Sequence, residues 1–167
     1  HLRAAITQCH GGKFAAALDL GCGTGLAGAA IVDLVESWYG VDLSSAMITE
    51  AAAKGFYEGL YVDDIVDYLT IGAGGVSRFE LIVAADVFIY VGNLAPTFAA
   101  VRDRIAADGL FAFSVELTND ADYVLCPTGR YAHGERHIRA LAAKHGFHVD
   151  ACAAVTLRCE QGQSVAG

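Results

Sequence analysis

Four aspartates and a run of glycines carry the chemistry that this sequence offers. Asp19-Leu20-Gly21-Cys22-Gly23-Thr24-Gly25 sets a carboxylate two residues ahead of three closely spaced glycines. Ala17 and Leu18 before it suit a short buried strand, and Leu26-Ala27 after it suit the first turn of a helix. A glycine turn between strand and helix lets backbone amides approach a ligand, the geometry that holds a nucleotide-like molecule. Asp42, Asp64 and Asp86 also stand at or near the ends of apolar stretches. In an open parallel sheet the ligand crevice lies at the carboxyl ends of the strands, so these four acids are expected to converge on one site.

Two ligands compete for the turn. Gly23-Thr24-Gly25-Leu26-Ala27-Gly28 is formally a G-x-G-x-x-G, and Asp42 lies near the distance at which dinucleotide folds place a ribose-binding acid. That favours a nicotinamide oxidoreductase. Asp19 speaks against it, because its charge would face the place of a pyrophosphate. Two unit charges about 5 Å apart at an effective dielectric near 20 interact by roughly 3 kcal/mol. A ligand carrying an ammonium and a sulfonium would be attracted instead. The glycines alone leave both open.

Other chemistries are less well supplied. His133 and Asp86 are candidates for a general base, with a solvent-exposed helix start as the competing reading of His133. Tyr90, Arg130 and Tyr131 are candidates to line a second, acceptor pocket, Arg130 suiting a carboxylate or phosphate. His133 and His137 are spaced for one helix face, but the order H-x-E-x-H turns Glu135 away from it, and no metal is expected. Cys22 reads as a small buried residue of the turn rather than a nucleophile. No G-x-S-x-G elbow is present.

The 167 residues suit one domain spanning 1–167, and a hydrophobic content of 54% suits a sheet buried on both faces. A net charge of -8 without any basic cluster disfavours nucleic acid and anionic membrane partners and leaves small molecules. Apolar runs such as 81–85 and 109–113 fall far short of the roughly 20 residues that span a bilayer, and no leader-like opening is seen, so a cytoplasmic location is expected. Five cysteines at irregular spacing predict reduced, mostly buried thiols.

The elements that position these residues follow from periodicity. Residues 2–10 suit a short helix and 13–20 the first strand; a helix is predicted over 26–37 and a second strand over 38–41. Ser44 is placed to cap a helix reaching Lys54, stopped by Gly55. A third strand over 59–62 precedes a short helix over 65–70 and a glycine loop over 72–75. The apolar run 79–85 predicts a central strand, followed by a helix over 93–107, a turn at Asp108-Gly109 and a fifth strand over 110–115. Residues 117–132 read as a loop over the crevice, 133–145 as a helix and 147–157 as a sixth strand. Strands alternating with helices imply an α/β fold with a doubly wound, mostly parallel sheet.

With these motifs in order, the chain resembles the class I S-adenosylmethionine-dependent methyltransferases. The resemblance rests on Leu18 to Gly25, Gly40-Val41-Asp42-Leu43-Ser44 with Met47, Val62-Asp63-Asp64-Ile65, Ala84-Ala85-Asp86-Val87 and Gly109 to Phe113, and spans about residues 14 to 157. Thr128-Gly129-Arg130-Tyr131-Ala132-His133 is similar to a stretch in predicted methyltransferases sometimes found behind tetratricopeptide repeats. The resemblance implies a Rossmann-like fold and S-adenosylmethionine as cofactor. It implies that Asp19, Gly21, Cys22, Gly23 and Gly25 form the turn at the methionine end and that Asp42 takes the ribose hydroxyls. Leu43 and Met47 would line the adenine, Asp64 and the Ile65 amide would meet its edge, and Asp86 and Val87 would sit by the methyl donor. Asp63 departs from the family, where glycine is common. The family's seventh, antiparallel strand is expected to begin near Ser164, leaving most of it outside this sequence. A methyltransferase for a small molecule is thus the leading expectation; a nicotinamide oxidoreductase and a non-catalytic S-adenosylmethionine-binding module are the alternatives.

Overall fold

Five strands lie side by side in a parallel sheet: β1 (Phe14–Leu20), β2 (Val35–Asp42), β3 (Tyr57–Val62), β4 (Phe79–Ala84) and β5 (Ile105–Phe113). Their order is β3-β2-β1-β4-β5, and every neighbouring pair is parallel. The computed structural model describes residues 1–72, 75–160 and 163–166, with side chains described through residue 155. The predicted glycine loop over 72–75 therefore falls partly outside the described residues. The fold is the expected Rossmann-like α/β arrangement. Its order reverses between β1 and β4, and in open sheets of this kind the ligand crevice lies at such a switch point, at the carboxyl ends of the strands.

The sheet is covered on both faces because successive side chains alternate. Leu81 and Val83 of β4 join Phe14, Ala17, Val35 and Trp38 in a cluster with Ile6 of helix α1 (Leu2–Cys9) and with Ile31. Ile82 and Ala84 join Leu18, Leu20 and Val41 in the larger cluster on the other face. There they meet α4 (Ile65–Ile71), α5 (Ala95–Arg104) and α6 (Glu135–Lys144). Among the described residues, no helix is long and apolar enough to cross a membrane.

Several boundaries differ from expectation. The predicted helix over 26–37 is α2 (Leu26–Ala30) followed by a single tight turn over 32–34, and Val35 already pairs with Phe14. The Arg3 guanidinium ends α2 early: it donates to the Ala30 carbonyl at 2.9 Å and to both Asp33 oxygens at 2.7 and 2.8 Å. The fifth strand begins at Ile105, not Leu110. Phe79 pairs with Ile105 and Leu81 with Leu110, so the expected Asp108-Gly109 turn is a bulge inside β5. The predicted capped helix is α3 (Ser45–Ala52), with the Ser44 hydroxyl accepting from the Met47 amide at 3.4 Å.

The largest corrections lie after residue 115. The expected loop over 117–132 is folded into a small sheet of β6 (Glu116–Leu117), β7 (Tyr123–Leu125) and β8 (Tyr131–His133), in the order β6-β8-β7. No strand forms over 147–155; β9 (Thr156–Glu160) pairs antiparallel with β10 (Gln163–Ala166), apart from the five-stranded sheet. An antiparallel strand thus occupies the region where the seventh was expected to begin. The thiols are also less buried than expected: of Cys9, Cys22, Cys126 and Cys152, only Cys22 is buried, and all four are free.

Candidate functional site

The glycine turn after β1 is fixed by its own backbone. Gly21, Gly23 and Gly25 have φ of +61°, +53° and +80°, a region that side chains strain to enter. The Cys22 amide donates to the Val41 carbonyl at 3.0 Å, which ties the turn to β2, and the Gly25 amide donates to Cys22 at 2.8 Å. A Cβ on Gly23 would meet no atom within 4 Å. The turn therefore offers bare backbone to the crevice there.

Asp42, at the end of β2, organises both the turn and the next helix. Its Oδ2 accepts from the Gly23 amide at 2.9 Å and its Oδ1 from the Ser44 amide at 2.8 Å. Each oxygen keeps lone-pair capacity for a further donor. Beside it, Leu43 is 72% exposed and Met47 41% exposed, two apolar side chains facing solvent next to a half-buried carboxylate. One more apolar side chain, Val62 at the end of β3, is exposed nearby in the strand order.

Asp19 sits beneath the turn rather than in the crevice. It is 1% exposed, its Oδ2 accepts from the Tyr57 hydroxyl at 2.8 Å, and Oδ1 is buried without a hydrogen bond of its own. Burial pushes its carboxyl up to about 7; the Tyr57 hydroxyl and the Gly28 amide oppose that rise and the Asp42 charge adds to it. The carboxylate is therefore only partly ionised at neutral pH, which weakens the repulsion of a pyrophosphate expected from a full charge. The Cys22 thiol is pushed up to about 12 by burial and by Asp19 and Asp42, so it is held neutral and is no nucleophile.

Asp64 caps α4: its Oδ1 accepts from the amides of Val66 at 2.7 Å and Asp67 at 3.3 Å. Asp63 turns back to accept from the Asp64 amide at 2.9 Å. Ile65 is the first residue of that helix, where an amide has no intrahelical partner. Across the switch point, Asp86 follows β4 with φ of +60°, exposed, its amide donating to the Ser114 hydroxyl at 3.0 Å. Val87 packs against the turn, and Tyr90 is 68% exposed on the short helical turn over 88–90.

His133 is not a helix start. It ends β8, is 0% exposed, and lies with Nε2 2.9 Å from the Val91 carbonyl and 3.1 Å from that of Gly92. Two carbonyls around one nitrogen fix the tautomer with the proton on Nε2, leaving Nδ1 as a buried acceptor without a partner. Burial lowers its pKa. Tyr131 covers Gly92 so closely that a Cβ there would lie 2.7 Å from its ring. Arg130 precedes it at the hairpin turn, where the Cys126 amide donates to the Arg130 carbonyl at 2.7 Å. Tyr90, Tyr131 and His133 are thus brought to one end of the sheet with Asp86. His137 lies near, its Nδ1 3.6 Å from Asp122, but among the described residues no group of three or more His, Cys, Asp or Glu could hold a metal ion.

Sequence reasoning missed Tyr57 and the β7–β8 hairpin. The hairpin had a signal in Cys126-Pro127-Thr128-Gly129, where proline presets the turn and Gly129, with φ of +77°, ends it. Tyr57 had none, because its role depends on space left by residues remote in sequence.

A family model described as a methyltransferase domain matches residues 18–111, more than half of the chain. The chain belongs to the methyltransferase-domain family. No curated protein sequence matches it significantly. Among solved structures, this methyltransferase domain is similar to the magnesium protoporphyrin IX methyltransferase ChlM from Synechocystis with bound SAM, at 18% identity and a TM-score of 0.69, over 99% of this chain and 73% of that one. It is similar to the N-methyltransferase NodS from Bradyrhizobium japonicum in complex with S-adenosyl-L-homocysteine, at 16% identity and a TM-score of 0.71, over 99% and 80%. The YcgJ protein from Bacillus subtilis matches at 16% identity and a TM-score of 0.70, over 87% and 67%. At these identities the methyltransferase domain shares the fold with them.

Proposed function

We propose that this chain binds S-adenosylmethionine and transfers its methyl group to a small-molecule acceptor. The observation that carries this reading is the pairing of Gly23 with Asp42. A glycine facing open space is hydrogen-bonded to a carboxylate with spare lone pairs, flanked by the exposed apolar Leu43 and Met47. These residues fit a ligand with a ribose diol and a flat apolar base. Family membership supports the same ligand.

When bound, the cofactor supplies a methyl group on a sulfonium, already activated for displacement. The protein's task is then alignment and exclusion of water, which can supply roughly 7–11 kcal/mol. In this reading Asp42 would take the ribose hydroxyls, Leu43 and Met47 would line the adenine, and Asp64 with the Ile65 amide would meet its polar edge. Gly21, Cys22, Gly23 and Gly25 shape the backbone at the methionyl end, with Asp19 behind them. Asp86 and Val87 would stand beside the methyl donor. Tyr90, Tyr131 and Arg130 line the acceptor side. Asp86 receives a proton from the acceptor where one must leave, and His133 offers only Nδ1 for that task. The likeness to tetratricopeptide-associated methyltransferases rests on Thr128 to His133 alone.

Calorimetry with S-adenosylhomocysteine and, separately, with NAD tests the ligand. Binding of the first and not the second is expected, and Asp42→Ala should abolish it while the thermal transition stays cooperative. Unchanged affinity in Asp42→Ala sinks the assignment. A metabolite screen with methyl-labelled cofactor then identifies the acceptor, and turnover separates an enzyme from a binding module.

A further inference from the structure

Tyr57 opens β3, yet it reaches past β2 to touch the first strand. Its hydroxyl donates to Asp19 Oδ2 at 2.8 Å, although β2 lies between β3 and β1 in the sheet. The passage is made by glycines from three elements. A Cβ on Gly25 of the turn would lie 3.1 Å from the Tyr57 ring, one on Gly28 of α2 would lie 2.7 Å from its hydroxyl, and one on Gly40 of β2 would lie 3.1 Å from its ring. Of these, only Gly25 has a positive φ. Gly28 and Gly40 are therefore glycines for room, not for backbone conformation. The ring itself is clamped by Phe56, at 4.3 Å between centroids, and by Trp38 edge-on at 6.3 Å.

We propose that Tyr57 is a positioning residue of the cofactor site: threaded through the gap left by Gly25, Gly28 and Gly40, its hydroxyl holds the Asp19 carboxyl and thereby orders the glycine turn. The ligand named here rests on the methyltransferase reading; the ordering of the turn does not.

The chemistry follows from what surrounds Asp19. Desolvation favours the neutral acid, and the Asp42 carboxylate on β2 adds to that preference. Cys22 in the turn is a neutral thiol and gives no compensating charge. The Gly28 amide of α2 and the Tyr57 hydroxyl of β3 are the donors that favour the carboxylate. Tyr57 is itself locked as a donor, since burial and the Asp19 charge raise its own pKa. Its hydroxyl thus keeps Asp19 able to ionise near neutral pH, and the ionised form attracts the ammonium of an amino-acid ligand. Affinity for that ligand should rise as pH rises through about 7.

Tyr57→Phe deletes the hydroxyl and keeps the ring that fills the gap. Three readouts are expected to move. In ligand-free protein, hydrogen exchange at the Cys22 and Gly25 amides accelerates about tenfold; the Asp19 carboxyl titrates at higher pH; and S-adenosylhomocysteine binds about tenfold more weakly at neutral pH, with its pH profile displaced upward. Asp19→Asn is the second variant. It keeps an acceptor for Tyr57, so the turn should stay protected while the pH dependence of binding disappears. Wild-type exchange and a wild-type Asp19 titration in Tyr57→Phe overturn the proposal. Should Tyr57→Phe not fold, wild-type pH dependence in Asp19→Asn overturns it and a flat profile with a protected turn supports it. Failure of the unsubstituted protein to bind S-adenosylhomocysteine at all overturns the ligand, while exchange and titration still decide the role of Tyr57.

Discussion

Gly21 and Val87 meet across the switch point so closely that a Cβ on Gly21 would lie 2.6 Å from Val87 Cγ2. The contact joins the turn after β1 to the segment after β4, the two sides of the crevice.

Gly21→Ala should therefore be costly twice, through the clash with Val87 and through a φ of +61° that alanine strains to adopt. Overpacking alone costs about 1–3 kcal/mol and the left-handed backbone about 1–2 kcal/mol. Urea denaturation should register a loss of that order, and binding of S-adenosylhomocysteine should fall with it. A variant as stable as the parent would show that the two sides separate freely.

Asp19 makes stability depend on pH. Burial pushes its carboxyl up to about 7 in the folded chain from the ordinary 3.8 of an exposed aspartate, so the folded chain holds a proton that the unfolded chain has lost. Stability from this group is present below the unfolded value and is lost as pH rises to the folded one. Asp19→Asn removes the dependence. The difference in unfolding free energy between Asp19→Asn and the parent should grow in favour of the variant by about 3–4 kcal/mol between pH 4 and pH 8. Chemical denaturation at the two pH values checks it; a constant difference would contradict the burial of this carboxyl.

His133 works in the opposite direction. Burial lowers its pKa below the 6.5 of an exposed histidine, so on acidification the unfolded chain takes up a proton before the folded one does. Stability is retained above 6.5 and falls as pH drops below it. His133→Gln keeps a donor for the Val91 and Gly92 carbonyls and removes the titration, so urea midpoints compared on either side of that pH should lose the His133 part of the slope. His133→Ala leaves two carbonyls and a void and should cost about 2–4 kcal/mol.

Much of the half built from β1, β2 and the turns that follow them was legible because its signals are local. Ser44 could be read as a helix cap and Asp42 as a strand end since each accepts from an amide two or three residues on, and Gly21 to Gly25 announce a turn that only glycine makes easily; the second bond of Asp42, to the Gly23 amide 19 residues back, was not legible. The signals failed where geometry is set at a distance. Alanines and aliphatics over 26–37 fit a helix as well as a strand, and only Arg3, far upstream, reaching Ala30 and Asp33 marks where α2 stops. His133 looked like an exposed cap because α6 follows at Glu135; its burial depends on carbonyls 41 and 42 residues away. Asp19 looked like a bare charge because nothing in its neighbourhood of sequence reveals Tyr57.

The hairpin of β7 and β8 hangs on the loop after β4 through Tyr131 against Gly92 and His133 against two carbonyls, whereas the Gly23–Asp42 pair joins the turn after β1 to the end of β2. The two ends of the crevice are built from separate stretches of chain. The Gly21–Val87 contact is then the place where a change on one side is passed to the other, so drift in the hairpin can leave the glycine turn undisturbed only while that contact is kept.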